Sequence, residues 1–156
     1  MEKQFLQLIH DHQGIIYKVS ALYRDSREDR EDLFQEIVYQ LWKSYPGFRG
    51  ESKPGTWMYR VALNTAIAIY RKPHLKIDHY PRLPPDLHPL REDSISENED
   101  RLFEALGKLS DTEKAIIALY LDEFSYKEIA AITGFSETNI GVRLNRIKTK
   151  LKEIIK

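Results

Sequence analysis

Five of the chain's seven prolines (Pro73, Pro81, Pro84, Pro85, Pro89) fall between residues 73 and 100, a segment with no glycine and an acidic run at its end. Proline has no backbone N–H and its ring clashes with the preceding turn, so neither a helix nor a central strand passes through such a stretch. The chain is therefore expected to form two separate pieces, residues 1–72 and 101–156, tied by a flexible linker over 73–100. Sharing 156 residues, each piece can bury only a modest core. His74, His79 and His88 lie in the linker without ligand-like spacing and are assigned no metal.

The carboxy-terminal piece has the sharper pattern. Ser125-Tyr126-Lys127-Glu128 has the spacing of a capping box, so a helix starts near Tyr126, with Ile129, Ala130 and Ile132 apolar. Gly134 follows, where a residue without a Cβ most easily turns left-handed and ends the helix. Ser136 is a second N-cap, after which Ile140, Leu144, Ile147 and Leu151 recur at steps of four, three and four. The pattern is a helix-turn-helix. Upstream, Leu102, Phe103, Leu106 and Leu109 mark one helix from about Asn98, and Ser110 or Asp111 caps another through Ile116, Ile117, Leu119 and Tyr120, making four in all. Between Arg143 and Lys156 stand six basic residues and one acid, a surface suited to phosphates. Entering a major groove by its first turns, the last helix would offer Glu137, Thr138, Asn139, Arg143 and Arg146, with Lys148 on the same basic helix. DNA is the expected partner.

In the amino-terminal piece, Phe5, Leu8, Ile9, Ile15, Ile16, Val19 and Leu22 keep helical spacing to about Tyr23, with Gly14 as a weak point. The charged segment 24–30 reads as a connection. Leu33, Phe34, Ile37, Val38, Leu41 and Trp42 then form a strong stripe, in which Trp42 is expected to be core. The helix's other face carries Asp32, Gln35, Glu36 and Tyr39. Tyr45-Pro46-Gly47 stops this helix, and a turn-rich loop, Phe48 to Gly55, leads into a third helix from Thr56, with Met58, Val61, Ala62, Thr65 and Ile69 on one side. Trp57, Tyr59, Arg60, Asn64, Arg71 and Lys72 interleave aromatic, basic and amide groups, which suits unstacked bases and phosphates. Trp57 and Tyr59 could equally anchor the core, and the residues alone leave both readings open.

Other classes fall away on composition. Without cysteine there is no disulfide framework or zinc-thiolate site, and no apolar run approaches the roughly 20 residues that span a bilayer. The amino terminus is unlike a signal peptide, so a cytoplasmic protein without membrane insertion is expected. His10 and His12 do not share a helical face, and no metal or other cofactor is assigned. Formal net charge is zero, so DNA affinity must come from local faces.

The stretch EDLFQEIVYQLWKSYPGFRGESKPGTWMYRVALNTAIAIYRK, from Glu31, resembles region two of sigma-70 family factors of the short extracytoplasmic-function class. From Leu109, LSDTEKAIIALYLDEFSYKEIAAITGFSETNIGVRLNRIKTKL resembles region four of the same class. The resemblance implies an all-α chain of two small helical domains, with no counterpart of the large factors' inhibitory segment or region three. It also implies binding to core RNA polymerase and promoter DNA, an anti-sigma factor as a further partner, and no enzymatic activity. By the same resemblance Asp32, Gln35, Glu36 and Tyr39 would face the polymerase. Phe48, Arg49, Gly50, Glu51 and Ser52 would receive a flipped minus-ten base, and Trp57, Tyr59, Arg60, Asn64, Arg71 and Lys72 would line the adjacent strand. The linker would thread toward the polymerase active centre. Where many members carry a basic and a small hydroxyl residue early in the recognition helix, this chain has Gly141 and Val142, which removes one phosphate contact. Two other readings stay open: a helix-turn-helix regulator whose amino-terminal domain senses or dimerises, and a helical nuclease using Asp29, Asp32 and Glu36.

Overall fold

Helices account for every regular element among the described residues, which in this computed structural model are 2–48, 50, 53–71 and 97–155. The stretch 73–96, with its three histidines, and Arg49, Glu51, Ser52 and Lys72 lie outside them, as do the side chains of Ile69, Tyr70 and Arg71. In chain order the elements are α1 (Glu2–Tyr23), α2 (Arg27–Ser44), one 3-10 turn (Tyr45–Gly47), α3 (Pro54–Arg71), α4 (Glu97–Gly107), α5 (Asp111–Leu121), α6 (Tyr126–Thr133) and α7 (Glu137–Ile155). The chain divides into two compact units, Met1–Arg91 and Glu92–Lys156. Helix α4 starts four residues inside the stretch read as linker.

In the first unit α1, α2 and α3 each pack against the other two. Phe5, Ile9, Ile16, Val19 and Leu22 of α1 meet Leu33, Phe34, Ile37, Val38 and Leu41 of α2 in the core, and each such side chain contributes about 1.5–3 kcal/mol on burial. The irregularity in α1 falls at His12 (φ −120°, ψ 16°) and not at Gly14. The His12 Nδ1–H donates to the Leu8 carbonyl at 3.0 Å, taking the acceptor that the His12 backbone N–H uses in a regular helix. The charged segment after α1 is less a connection than a pair of helix ends. Arg24 donates to the Tyr23 carbonyl, Arg30 donates to the carbonyls of Ala21 and Arg24, and Ser26 caps α2 by accepting from Asp29 N–H. These bonds satisfy groups that a helix leaves orphaned at its termini.

Three expectations for this unit are corrected. Trp42 is 38% exposed, its ring set edge-on to Phe5 at 4.9 Å, so it covers the core from outside. Glu36, placed by its spacing on an open face, is buried and accepts from Gln40 Nε2 at 3.0 Å. The buried side of α3 is broader than the expected stripe: Trp57, Met58, Tyr59, Ala62, Leu63, Thr65 and Ala66 are buried, whereas Val61 is only half-buried.

In the second unit α7 packs against α4, α5 and α6, and α5 packs against α6. Ala105, Leu106, Leu109, Ile116, Ile117, Leu119, Ile129, Ile140, Leu144 and Ile147 form its core, with Leu151 half-buried at the edge. Ser110, not Asp111, caps α5, in a full capping box with Glu113. Helix α5 then closes without glycine: Glu123 takes φ 66°, and the N–H groups of Glu123 and Phe124 bond to the carbonyls of Tyr120 and Leu119. This is a Schellman closure with a side chain at its left-handed position, at a cost of about 1–2 kcal/mol relative to a relaxed backbone.

Candidate nucleic-acid interface

The two-helix unit that presents α7 is fixed at both of its ends. Ser125 and Glu128 form the capping box read from the sequence, at 3.1 and 3.0 Å, and Gly134 ends α6 at φ 87° with its N–H on the Ala130 carbonyl. Two residues on, the Ser136 hydroxyl accepts from Asn139 N–H at 3.1 Å, starting α7. Ile140, Leu144 and Ile147 are then drawn inward, and the other side of α7 is exposed at Glu137, Thr138, Asn139, Val142, Asn145, Arg146, Thr149 and Lys152.

The basic residues of α7 do not form one uniform surface. Arg143 is half-buried, its guanidinium 4.2 Å from the centre of the Phe135 ring and its Nε–H donated to Asn139 Oδ1 at 2.6 Å. Cation–π stacking and this hydrogen bond hold the planar fork in one place, a preorganisation that lysine could not offer. Arg146, one turn from Val142, is exposed. Lys148, expected to face DNA, instead turns to α5, where its Nζ donates to the Tyr120 hydroxyl at 3.0 Å and lies 4.4 Å from that ring's centre. The Tyr120 hydrogen bond raises the Lys148 ammonium above its ordinary value. Lys150 turns the same way and pairs with Glu113 Oε1 at 3.0 Å. Partial burial alone would raise the Glu113 carboxyl, but the Ser110 backbone N–H, Lys150 and the Ser110 side chain outweigh it and hold the group below its ordinary value. Two of the lysines counted toward a DNA face thus tie α7 to α5.

In the first unit the aromatics fall on different sides of α3. Tyr59 is wholly buried and Trp57 is 9% exposed, which corrects their assignment to an open single-strand surface. Tyr59 turns into the three-helix core. Trp57 lies under the loop residue Phe48, the rings stacked at 4.6 Å and 25°, with Tyr45 tilted against it at 6.3 Å. Arg60 and Asn64, four apart and so neighbours on α3, are exposed, as is Lys53 before the helix. Gly50 has φ 72°, a conformation suited to glycine. On α2, Asp32 is exposed and Gln35 and Tyr39 are half-buried. For the nuclease reading, Asp29 and Asp32 are exposed while Glu36 is buried, and among the described residues no three His, Cys, Asp or Glu side chains come close enough to share a metal ion. Gly141 and Val142 were legible only as departures from a pattern; a Cβ at Gly141 would stand 3.6 Å from the Tyr126 ring, an ordinary van der Waals contact.

Family models for Sigma-70 region 2 and Sigma-70, region 4 match residues 8–74 and 99–151. The chain is 29% identical over 133 residues to the RNA polymerase sigma factor YlaC of Bacillus subtilis, covering 81% of this chain and 77% of that one. It is 30% identical over 144 residues to the RNA polymerase sigma factor SigV of the same organism, covering 88% and 82%. Among solved structures, the sigma factor RpoE of Bartonella quintana, crystallised with the anti-sigma factor NepR, shares the fold with a TM-score of 0.74 at 24% identity over 98% of this chain and 97% of that one.

Proposed function

The chain belongs to the extracytoplasmic-function class of the sigma-70 family and directs core RNA polymerase to promoters, and we propose that it divides this work between its two units. Residues 101–156 read an upstream element by setting α7 into the major groove. Residues 1–72 hold the polymerase and the separated downstream strand, and 73–100 join the two. The observation that carries this reading is the outward side of α7, where hydrogen-bonding groups and arginine stand clear of the core on a capped helix-turn-helix.

Glu137, Thr138, Asn139 and Arg146 meet base edges or phosphates there, and Arg143 joins them from its place over Phe135. Lys148 supports the helix from behind. On α3, Arg60 and Asn64 flank the strand while Phe48 and Gly50 begin the loop that receives a flipped base, with Arg71 further along the same helix. Trp57 serves as the floor beneath Phe48, so a base reaches its ring only after Phe48 moves. The helix-turn-helix regulator with a sensing domain gains nothing from these residues, since the region 2 match accounts for the first unit. As a sigma factor the chain selects where the polymerase starts and performs no chemistry of its own.

Asp32 and Gln35, on the outward side of α2, form the polymerase contact together with Tyr39. Asp32→Lys with Gln35→Lys should abolish co-purification with core polymerase while the helical circular dichroism is kept; undiminished co-purification would exclude this face. An anti-sigma protein is a further partner, as NepR is for RpoE of Bartonella quintana. Among the described residues no helix is long and apolar enough to cross a membrane, and the work on polymerase belongs in the cytoplasm. The direct test of the function is promoter-specific transcription by core polymerase with and without the protein, and equal transcripts in both cases would reject it.

A further inference from the structure

Val142 is 45% exposed near the middle of the outward side of α7. An exposed valine alone is ordinary. This one, however, stands among side chains that can all hydrogen-bond: Thr138 and Asn139 one turn before it, Asn145 and Arg146 one turn after, and Thr149 beyond, all exposed. A β-branched side chain also loses rotamer freedom in a helix. Burial supplies little in return here, because the core side of α7 is taken by Ile140, Leu144 and Ile147.

In a major groove the best complement to such an apolar island is the C5-methyl group of thymine; apart from the smaller C5–H of cytosine, the edges there present hydrogen-bond donors and acceptors. We propose that Val142 packs on the methyl group of a thymine in the upstream promoter element, between the base pairs approached by Asn139 and Arg146, and so sets the preference for thymine at that position. This rests on α7 being the groove helix.

Replacing thymine by deoxyuridine removes the methyl group and leaves every hydrogen-bonding group in place, so it isolates the contact. Holoenzyme formed with wild type or Val142→Ala is titrated against promoter duplexes in which each upstream-element thymine is replaced in turn by deoxyuridine, with a scrambled upstream element as reference. Wild type should lose about fourfold in affinity at one position, the effect of one methyl group left in water. Val142→Ala should bind the parent duplex less tightly and lose less than wild type at that position, the non-additivity of two groups in contact. Wild-type affinity unchanged by every deoxyuridine, an upstream element without thymine, or an equal loss for wild type and variant would overturn the contact while leaving the groove helix standing. If wild type does not distinguish the element from its scrambled form, the groove reading itself fails and takes this inference with it.

Discussion

Arg143 and Lys148 are five residues apart on α7, and their neighbours give them different work. Arg143 is braced by Phe135 and Asn139 beside the outward side, whereas Lys148 bonds Tyr120 of α5. Arg143→Ala and Arg146→Ala should each weaken binding to upstream promoter DNA. Loss of a phosphate contact should lower the salt slope by about one, and loss of a base contact should cost about 1–3 kcal/mol and relax one position. Lys148→Ala should lower the melting temperature and leave the salt slope alone; a slope reduced as much as for Arg146→Ala would return Lys148 to the DNA face. Glu113 offers a pH signature. Its carboxyl is held below its ordinary value, so the stability it adds is complete above that ordinary value and disappears as pH falls through the lowered one. Glu113→Gln should therefore lower the melting temperature near neutrality and lose less on acidification than wild type, and parallel pH profiles would contradict this. Six basic residues could be counted in the sequence, but which of them α5 would claim depended on groups 28 and 37 positions away.

At the scale of elements, the legible parts were those written in neighbouring residues. The Ser125–Glu128 box, Gly134 and the Ser136 cap depend on positions at most three or four apart, and all three stand in the structure. Ser26 was obscured by the charges around it, and the end of α5 at Glu123 carried no glycine to announce it. Helix α3 was harder because the width of a buried face depends on how many neighbours cover it. With α1 and α2 both against α3, the face extends to Tyr59, Leu63 and Ala66. This separates the roles of residues read as one strand-binding group. Tyr59→Ala should destabilise the first unit by about 3–5 kcal/mol, measured by denaturant unfolding of the full chain. Asn64→Ala should stay folded yet transcribe poorly from a duplex promoter, with recovery on a promoter premelted across the minus-ten element. Normal transcription from the duplex by folded Asn64→Ala would remove this residue from strand capture.

For the whole molecule, the proline block suggested two helical pieces, and the two sets of helices form separate cores, the first matched by the region 2 model and the second by the region 4 model. On the proposed division of work, specificity depends on two readers acting on one polymerase. Neither needs a large affinity: each contributes its own few kcal/mol, and net charge near zero limits indiscriminate DNA binding. Transcription by core polymerase from a library randomised across both promoter elements, with wild type and Arg146→Ala compared, tests this division most directly. Two enriched sequence blocks are predicted for wild type, with only the upstream block altered by the substitution. A single enriched block, no enrichment, or a substitution that changes the downstream block instead would contradict it.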